Sequence, residues 1–178
     1  MKIILGVTGS ISAYKAVEIM RIFQKNGHDV NVIMTRAAQK IIPALTFETF
    51  SPGNVYVDMF EQRQDPVLHV NICKDSDLLL IAPATANIIG KMANGIADDL
   101  LSTTYLAFYR QVVIAPAMNV HMLENPAVQE NIGRLKSRGA AIIEPDEGSL
   151  ACDYEGKGRL PEPQRIYQYC MDLGTIKV

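Results

Sequence analysis

Short apolar runs recur along the chain. They are separated by stretches in which apolar and polar residues are mixed. Five of these runs have the length and composition of buried strands: residues 2–7, 29–34, 78–82, 112–115 and 141–143. The first run ends in Thr8, Gly9 and Ser10, which are residue types that favour a turn. The pattern therefore predicts a sheet built from five buried strands.

Helical periodicity fills most of the segments between these strands. Apolar residues recur at helical spacing from Ala16 to Phe23, and Gly27 then supplies a stop. Four further helices are predicted, at residues 37–50 with a break at Pro43, 87–92, 98–108 and 126–137. The last one has Asn125 as its N-cap and Pro126 at its first helical position.

The order of these elements predicts the fold class. Strands that alternate with helices, without hairpin signals, favour right-handed βαβ crossovers and a mostly parallel sheet. We therefore predict a flavodoxin-like or Rossmann-like α/β fold, in which one doubly wound sheet lies between two layers of helices. With 178 residues and no repeat or linker, residues 1–178 are expected to form one domain.

The segment 145–163 departs from this regular pattern. Gly148, Gly156 and Gly158 alternate with charged residues and prolines, and no periodicity is visible. The segment is therefore predicted to be a long loop. Loops of more than roughly 12 to 15 residues in compact domains tend to be functional or disordered.

Composition excludes several classes of function. The 17 Lys and Arg residues against 19 Asp and Glu residues give no reason to expect binding to nucleic acid or to a membrane surface. The first apolar run ends at Gly6 and is too short for a secretory leader or for a span of about 20 residues. We therefore expect a cytoplasmic protein. Cys73, Cys152 and Cys170 are too scattered for a disulfide framework, and no metal-ligand spacing involves His69, so no metal is expected.

Residues 116–122 have the character of an active-site rim. They directly follow the fourth predicted strand, and Pro116 removes a donor and should stop the ladder there. Ligands bind at the carboxyl ends of strands in open α/β sheets, so the amide of Asn119 can orient a bound group. The alternative is that Asn119 only satisfies turn backbone.

The first turn is suited to a phosphate. Gly9, Ser10 and Ile11 lie where backbone N–H groups and a helix N-terminus meet. The turn lacks the glycine spacing of dinucleotide and triphosphate sites, so a mononucleotide phosphate fits better, with Thr35 reaching the same edge. The alternative is a tight turn that only caps the following helix.

Other polar positions leave two interpretations open. After the third strand, small residues from Pro83 onward let the backbone approach a flat ring, although Thr85 and Asn87 can instead serve only as N-caps. Ser102 and Thr103 belong to a capped helix start that faces a ligand only if the pocket extends there. A lone His69 among apolar residues is more often a core or surface residue than a base.

Together these elements resemble the flavin-dependent cysteine decarboxylase family, most closely its phosphopantothenoylcysteine decarboxylase branch. The resemblance covers essentially the whole chain. Residues 9–11 match the first turn, and His69 lies in the family's His-Val-Asn-Ile stretch. Residues 83–88 are similar to its PASANT box and residues 116–122 to its PxMNxxM box. Residues 148–163 resemble its substrate-recognition clamp.

Departures from the family pattern are few. Thr85 keeps the hydroxyl of the box, whereas Ile88 loses one, which puts a cofactor contact from position 88 in doubt. In the clamp, Asp153 and Tyr154 replace a more usual Gly and Asp. Cys152 itself matches the phosphopantothenoylcysteine branch.

The resemblance implies a reaction and roles for particular residues. FMN would oxidise the CH₂SH group of 4′-phosphopantothenoylcysteine, CO₂ would leave, and the enethiol would be reduced to 4′-phosphopantetheine in coenzyme A biosynthesis. His69 would be the base or orienting group, Asn119 would bind the carboxylate or adjoining amide, and Cys152 would supply the final proton. FMN would be held by Gly9, Ser10, Ile11, Thr35, Pro83, Ala84, Thr85, Asn87, Ser102, Thr103, Ala117 and Met118. Substrate contacts would come from Asn119, Met122, Ala151, Lys157 and Arg159.

The resemblance also implies an assembly. The family forms trimers with FMN between subunits, and some members form dodecamers, so His69 would act on a flavin held mainly by a neighbouring subunit. FMN is recycled within each turnover, so no external electron partner is expected. A separate synthetase is expected to make the substrate.

Four other functions compete with this one. A peptidyl-cysteine decarboxylase shares the flavin chemistry, but Cys152 argues against it. A flavin prenyltransferase shares the fold and first turn, but Asn119 and Cys152 argue against it. A non-catalytic flavoprotein regulator of a protein phosphatase usually carries an acidic tail, which is not seen here. A flavodoxin-like electron carrier would give the Cys152 segment no role.

Overall fold

Six parallel strands form the central sheet of the protein. The computed structural model describes residues 1–60, 65, 67–149 and 155–175. Along the chain the strands are β1 (Lys2–Val7), β2 (Asp29–Met34), β3 (Val55–Tyr56), β4 (Leu78–Ala84), β5 (Gln111–Pro116) and β6 (Ala141–Ile142). In the sheet their order is β3-β2-β1-β4-β5-β6. The strand order reverses between β1 and β4: β2 and β3 are added on one side of β1 and β4 to β6 on the other, and at such a point doubly wound sheets open a ligand crevice.

The described part of the chain contains eight α-helices. They are α1 (Lys15–Lys25), α2 (Ala44–Glu48), α3 (Leu68–Lys74), α4 (Ala86–Asn94), α5 (Leu100–Ala107), α6 (Val120–Glu124), α7 (Pro126–Ser137) and α8 (Pro163–Thr175). Helices α1 and α8 pack together on one face. Helices α3, α4, α5 and α7 cover the other. None of the described helices is long and apolar enough to cross a membrane.

The alternation of side chains in β1 divides the core in two. Ile3, Leu5 and Val7 belong to the cluster that includes α1 and α8, whereas Ile4 belongs to the cluster on the opposite face. Every residue of β4 is buried, as expected for a central strand covered by helices on both sides. The predicted doubly wound α/β fold with three layers is confirmed.

Several predicted elements agree with the structure residue by residue. Strands β1 and β2 and helix α7 have the predicted bounds, and the Asn125 side chain accepts the Ala127 N–H at the start of α7. The prediction missed β3, α3, α6 and α8. The pairing between β4 and β5 also runs further than predicted, because Pro116 still pairs with Ala84. Helix α6 then begins at Val120.

The prediction of a long loop at 145–163 is wrong for two segments of this range, which form strands. Strands β7 (Asp146–Ser149) and β8 (Glu155–Arg159) pair antiparallel as a separate two-stranded sheet. The sequence of β8 shows no alternation of apolar and polar residues, because Gly156 and Gly158 stand where apolar side chains would mark a buried face. Residues 150–154, which join the two strands, lie outside the described residues.

Candidate functional site

Two adjoining cavities open at the carboxyl ends of β1, β2, β4 and β5. The larger has a volume of about 670 Å³ and the smaller about 560 Å³. They share Gly9, Thr85, Ala86 and Met122 and therefore lie side by side; we call the two together the cleft. Its position at the β1/β4 reversal is the position predicted for a ligand in this type of sheet.

Thr8 ties together the two loops that border this reversal. Its hydroxyl is buried, donates to the Pro83 carbonyl at 2.7 Å and accepts the Thr85 N–H at 3.1 Å. One side chain thus fixes the loop after β1 against the loop after β4. This role of Thr8 is not visible in the sequence, because its two partners lie 75 and 77 positions away along the chain.

Replacing Thr8 with Val is expected to lower the free energy of unfolding by about 2–4 kcal/mol. The change preserves shape but leaves the Pro83 carbonyl and the Thr85 N–H without their partner, and an unsatisfied buried group costs about 1–3 kcal/mol. Urea unfolding at fixed protein concentration measures the effect. Thr8→Ser keeps the hydroxyl and is the matched control, so equal stability of the two variants would contradict the bridging role.

The first turn has the close backbone approach expected of a phosphate cradle. A Cβ at Gly9 would lie 2.6 Å from the Cβ of Ala37, so only glycine fits between the two turns. Gly9, Ser10 and Ile11 line the smaller cavity, and Thr35 lines the larger one. The Ser10 hydroxyl accepts the Ser12 N–H at 3.4 Å, which shows that capping and lining coexist at this position.

The loop after β4 also combines capping with lining. The Thr85 hydroxyl accepts the Ile88 N–H at 3.4 Å as the N-cap of α4, and Thr85 lines both cavities. Asn87 lines the larger cavity. Pro83 and Ala84 do not line the cleft themselves; the Pro83 carbonyl contributes through its bond from Thr8.

The rim of the larger cavity is charged. Its ion pairs were not predicted from the sequence. Lys91 bonds Asp98 at 2.6 Å and Asp99 at 2.7 Å, and Arg36 bonds Asp58 at 2.7 Å. Two of these charged residues could have been linked to the site from the sequence. Lys91 stands four positions after Asn87, on the same face of a helix, and Arg36 directly follows the end of a strand.

The ion pair of Lys91 with Asp99 stays charged at neutral pH. Burial alone would lower the pKa of Lys91, but hydrogen bonds from its ammonium to Asp98 and Asp99 outweigh burial and raise that pKa. Burial would likewise raise the pKa of Asp99, yet the bonds from Lys91 and Ser102 hold it below its usual value. The inner wall is apolar by contrast, with Met34, Ile88, Leu100 and Leu101. Such a pocket suits a flat apolar ring with polar edges.

Asn119 lies in the smaller cavity, where it is also the N-cap of α6. Its side-chain oxygen accepts the His121 N–H at 2.9 Å. Ala117, Met118, Met122 and Arg159 line the same cavity. The structure therefore brings Asn119 next to the first turn, although 109 positions separate it from Ser10 in the chain.

The structure does not bring every predicted site residue to the cleft. Ser102 is buried and forms a capping box with Asp99 at the start of α5, while the Thr103 hydroxyl donates to the Asp99 carbonyl at 2.8 Å. Lys157 binds Glu144 at 2.7 Å and lines a different cavity.

Three more predicted residues are not placed in the cleft. His69 lies on α3 and lines neither cavity of the cleft. Ala151 and Cys152 lie outside the described residues. Across the described part of the chain, no cluster of three or more His, Cys, Asp or Glu residues could hold a metal ion.

Comparison with known proteins identifies the family. The model of the family described as Flavoprotein matches residues 1–173. The bifunctional coenzyme A biosynthesis protein CoaBC of Bacillus subtilis is 49% identical over 92% of the chain, and the chain spans 41% of that relative's length. A probable phosphopantothenoylcysteine decarboxylase of Streptococcus mutans is 41% identical, with 94% of this chain and 95% of the relative covered.

Solved structures agree in fold over nearly the full length. A mutant PPC decarboxylase complexed with pantothenoylaminoethenethiol superimposes with a TM-score of 0.86 at 28% identity, covering 98% of both chains. The FMN-dependent cysteine decarboxylase SpaF gives a TM-score of 0.80 at 31% identity, covering 96% of this chain and 97% of that one. The family match over nearly the whole chain and the cleft at the strand reversal lead to one conclusion: the chain belongs to the Flavoprotein family.

Proposed function

We propose that the protein is an FMN-dependent decarboxylase that converts 4′-phosphopantothenoylcysteine to 4′-phosphopantetheine in coenzyme A biosynthesis. The observation that carries the proposal is the meeting of Asn119 with the first turn in one cleft. Similarity to a relative of the same length, a probable phosphopantothenoylcysteine decarboxylase, supports the choice of substrate. The bifunctional relatives are longer than this chain, so only their decarboxylase activity is proposed here.

The residues of the cleft fit a flavin mononucleotide. The Gly9 turn, with Ser10 and Thr35, would receive the phosphate, and Thr85 and Asn87 would face the ring system. FMN would supply a two-electron acceptor that is regenerated within each turnover. The apolar inner wall would keep water from a bound ring, while the paired charges at the rim keep the entrance polar.

The smaller cavity provides the groups that the substrate requires. A carboxylate leaves as CO₂ only when the neighbouring carbon can accept the electrons, so the reacting end must be held in one orientation beside the acceptor. We assign that task to the Asn119 amide, which accepts or donates hydrogen bonds at the substrate's carboxylate or amide. Met122 borders the reacting end, since it lines both cavities.

Two basic side chains in the smaller cavity suit the substrate's phosphate. Lys15 and Arg159 both line this cavity, and Glu162 lies 2.8 Å from Lys15 and 3.8 Å from Arg159. Glu162 therefore holds the two cations at the same end of the cavity. Lys157 stays a prediction as a substrate contact, although its ammonium pairs with Glu144 beside a different cavity.

His69 is proposed to act across a subunit boundary. Its ring lies on α3, away from the cleft of its own chain, yet its Nδ1 is buried without a hydrogen-bond partner among the described residues. His69 as a whole is half-buried, so a trimer, or a dodecamer of trimers, in which α3 of one copy faces the cleft of the next would bring the exposed part of its side chain to that cleft. We propose a cytoplasmic enzyme of this kind.

Cys152 is proposed to donate the proton that completes the reduction of the enethiol. A thiol serves as a general acid near neutral pH only if its pKa is close to that range. Burial raises the pKa of Cys73 to about 11 and that of Cys170 to about 12, so these two are unsuited. Cys152 is the remaining cysteine of the three in the sequence.

Incubating the FMN-loaded protein with 4′-phosphopantothenoylcysteine tests the proposed function. Wild type is expected to yield a product lighter than the substrate by about 44 Da, the mass of CO₂, whereas Cys152→Ser should release a product about 2 Da lighter still. Mass spectrometry distinguishes them, and Cys170→Ala is the matched control. A colourless wild type, an unchanged substrate, or saturated product from Cys152→Ser would each contradict the scheme. An unchanged substrate with bound FMN would instead favour a peptide substrate or a non-catalytic role.

A further inference from the structure

Strand β8 contacts the Asn119 segment through backbone rather than through side chains. The Met118 N–H donates to the Gly158 carbonyl at 3.0 Å. A Cβ at position 158 would lie 2.3 Å from the Met118 carbonyl oxygen, a separation that no side chain tolerates. The two backbones can approach this closely only because residue 158 is glycine.

A second glycine of β8 makes the next contact along the same face. Gly156 and Gly158 are two positions apart, so they point to the same side of the strand. A Cβ at Gly156 would lie 3.1 Å from Cγ2 of Val120. Met118 and Val120 flank Asn119, so β8 contacts the chain on both sides of this residue.

The opposite side of β8 is anchored separately. Lys157, between the two glycines, binds Glu144 at 2.7 Å, and Glu144 also binds Lys136 of α7 at 3.3 Å. Beside them, Arg165 of α8 pairs with Asp146 of β7. The hairpin is thus fixed to α7 and α8 on one side and presses its glycine face against residues 118–120.

Asn119 needs such external support. It caps a helix of only five residues, and isolated helices of that length are not stable on their own. Its own cap bond to the His121 N–H stays within the same short segment, so that bond does not fix the segment relative to the sheet. Beyond the end of β5, β8 supplies a backbone hydrogen bond to Met118 on one side of Asn119 and packs against the Val120 side chain on the other.

We propose that Gly156 and Gly158 are positioning residues that set the location of Asn119 toward the substrate. The inference rests on the proposed function, in which Asn119 orients the reacting end. A displacement of about 1 Å in a positioning group can reduce rate or binding up to 100-fold. A single methyl group on the glycine face of β8 therefore disturbs substrate binding through the displacement of Asn119.

Gly158→Ala tests this inference with two independent readouts. The first is hydrogen exchange of the Met118 amide, which should become at least about tenfold faster because its bond to residue 158 is lost. The second is the split between KM and kcat at saturating FMN, with KM for the substrate rising about tenfold or more while kcat changes less. The exchange readout needs no substrate, so it remains valid even if wild type shows no turnover and the proposed function fails.

Two further variants sharpen the test. Gly133→Ala is the matched control, because a Cβ at Gly133 on α7 meets nothing within 4 Å, and it should leave both readouts unchanged. Gly156→Ala presses only on a side chain and should raise KM less; Val120→Ala added to it should restore KM. This pair keeps the test decisive if Gly158→Ala does not fold. Faster exchange at Met118 with an unchanged KM, or no rescue by Val120→Ala, would overturn the inference.

Discussion

Replacing His69 with Asn is expected to leave FMN bound and to reduce turnover by about two to four orders of magnitude. His69 lies on α3, outside the cleft of its own chain, and among the described residues its buried Nδ1 has no partner. Leaving a buried polar atom unpaired costs about 1–3 kcal/mol, so stability does not explain the residue. An Asn amide can occupy the place of Nδ1, but it does not exchange a proton near neutral pH.

His28→Asn is the matched control for this prediction. His28 lies beside the start of β2, at the opposite end of the sheet from the cleft, and its ring contacts Phe23 and Tyr167. FMN absorbance and steady-state turnover should both stay at the wild-type level in this variant. Loss of FMN from His69→Asn would instead identify His69 as a structural residue.

Mixing two inactive variants tests whether His69 acts between subunits. His69→Asn and Asn119→Ala each remove one part of the proposed site. If each cleft takes its histidine from a neighbouring copy, mixed assemblies contain some clefts with both parts intact and regain part of the activity. Activity that stays at the level of the separate variants after subunit exchange would place His69 and Asn119 in the same chain's site.

Gly9→Ala is expected to weaken FMN binding by about 10- to 100-fold. The new Cβ would stand 2.6 Å from the Cβ of Ala37 and 3.3 Å from its carbonyl carbon, so the first turn must move away from the loop after β2. Overpacking of this kind costs about 1–3 kcal/mol, which corresponds to that loss of affinity. Fluorescence titration of the FMN-free protein with FMN measures the dissociation constant.

A second substitution should reverse this effect. Ala37→Gly removes the methyl group that the new side chain meets, so Gly9→Ala combined with Ala37→Gly is expected to recover most of the FMN affinity. Ala37→Gly alone serves as the control and should change affinity little. If the double variant binds FMN as weakly as Gly9→Ala, the close approach of the two turns is not what shapes the phosphate cradle.

Much of the fold was predictable because its signals are local. Strands β1 and β2 are continuous apolar runs, as parallel strands covered on both faces require. Helix α7 carries Asn125 and Pro126 at its start, so its bounds can be read from the sequence. Helices α3 and α6 were missed because each is seven residues or shorter and lacks a full apolar stripe.

The candidate site was predictable only where it coincides with strand ends. Four predicted residues come within three positions of a strand end, and the structure brings all of them to the cleft: Gly9, Thr35, Thr85 and Asn119. The bridge made by Thr8 was not predictable, since it depends on two backbone groups in a distant loop.

The glycine face of β8 was missed for a similar reason. Its partners lie about 40 positions earlier in the chain, and glycine leaves no hydrophobic period to detect. Tertiary contacts, rather than local propensity, determine both this face and the Thr8 bridge.

The short edges of the central sheet restrict how copies of the chain can associate. Its two outer strands, β3 (Val55–Tyr56) and β6 (Ala141–Ile142), have two residues each. So short an edge offers too few backbone groups for another copy to extend the sheet by strand addition. The proposed assembly would therefore form through elements other than the edges of the central sheet, such as the helices and loops that carry His69 and the rim of the cleft.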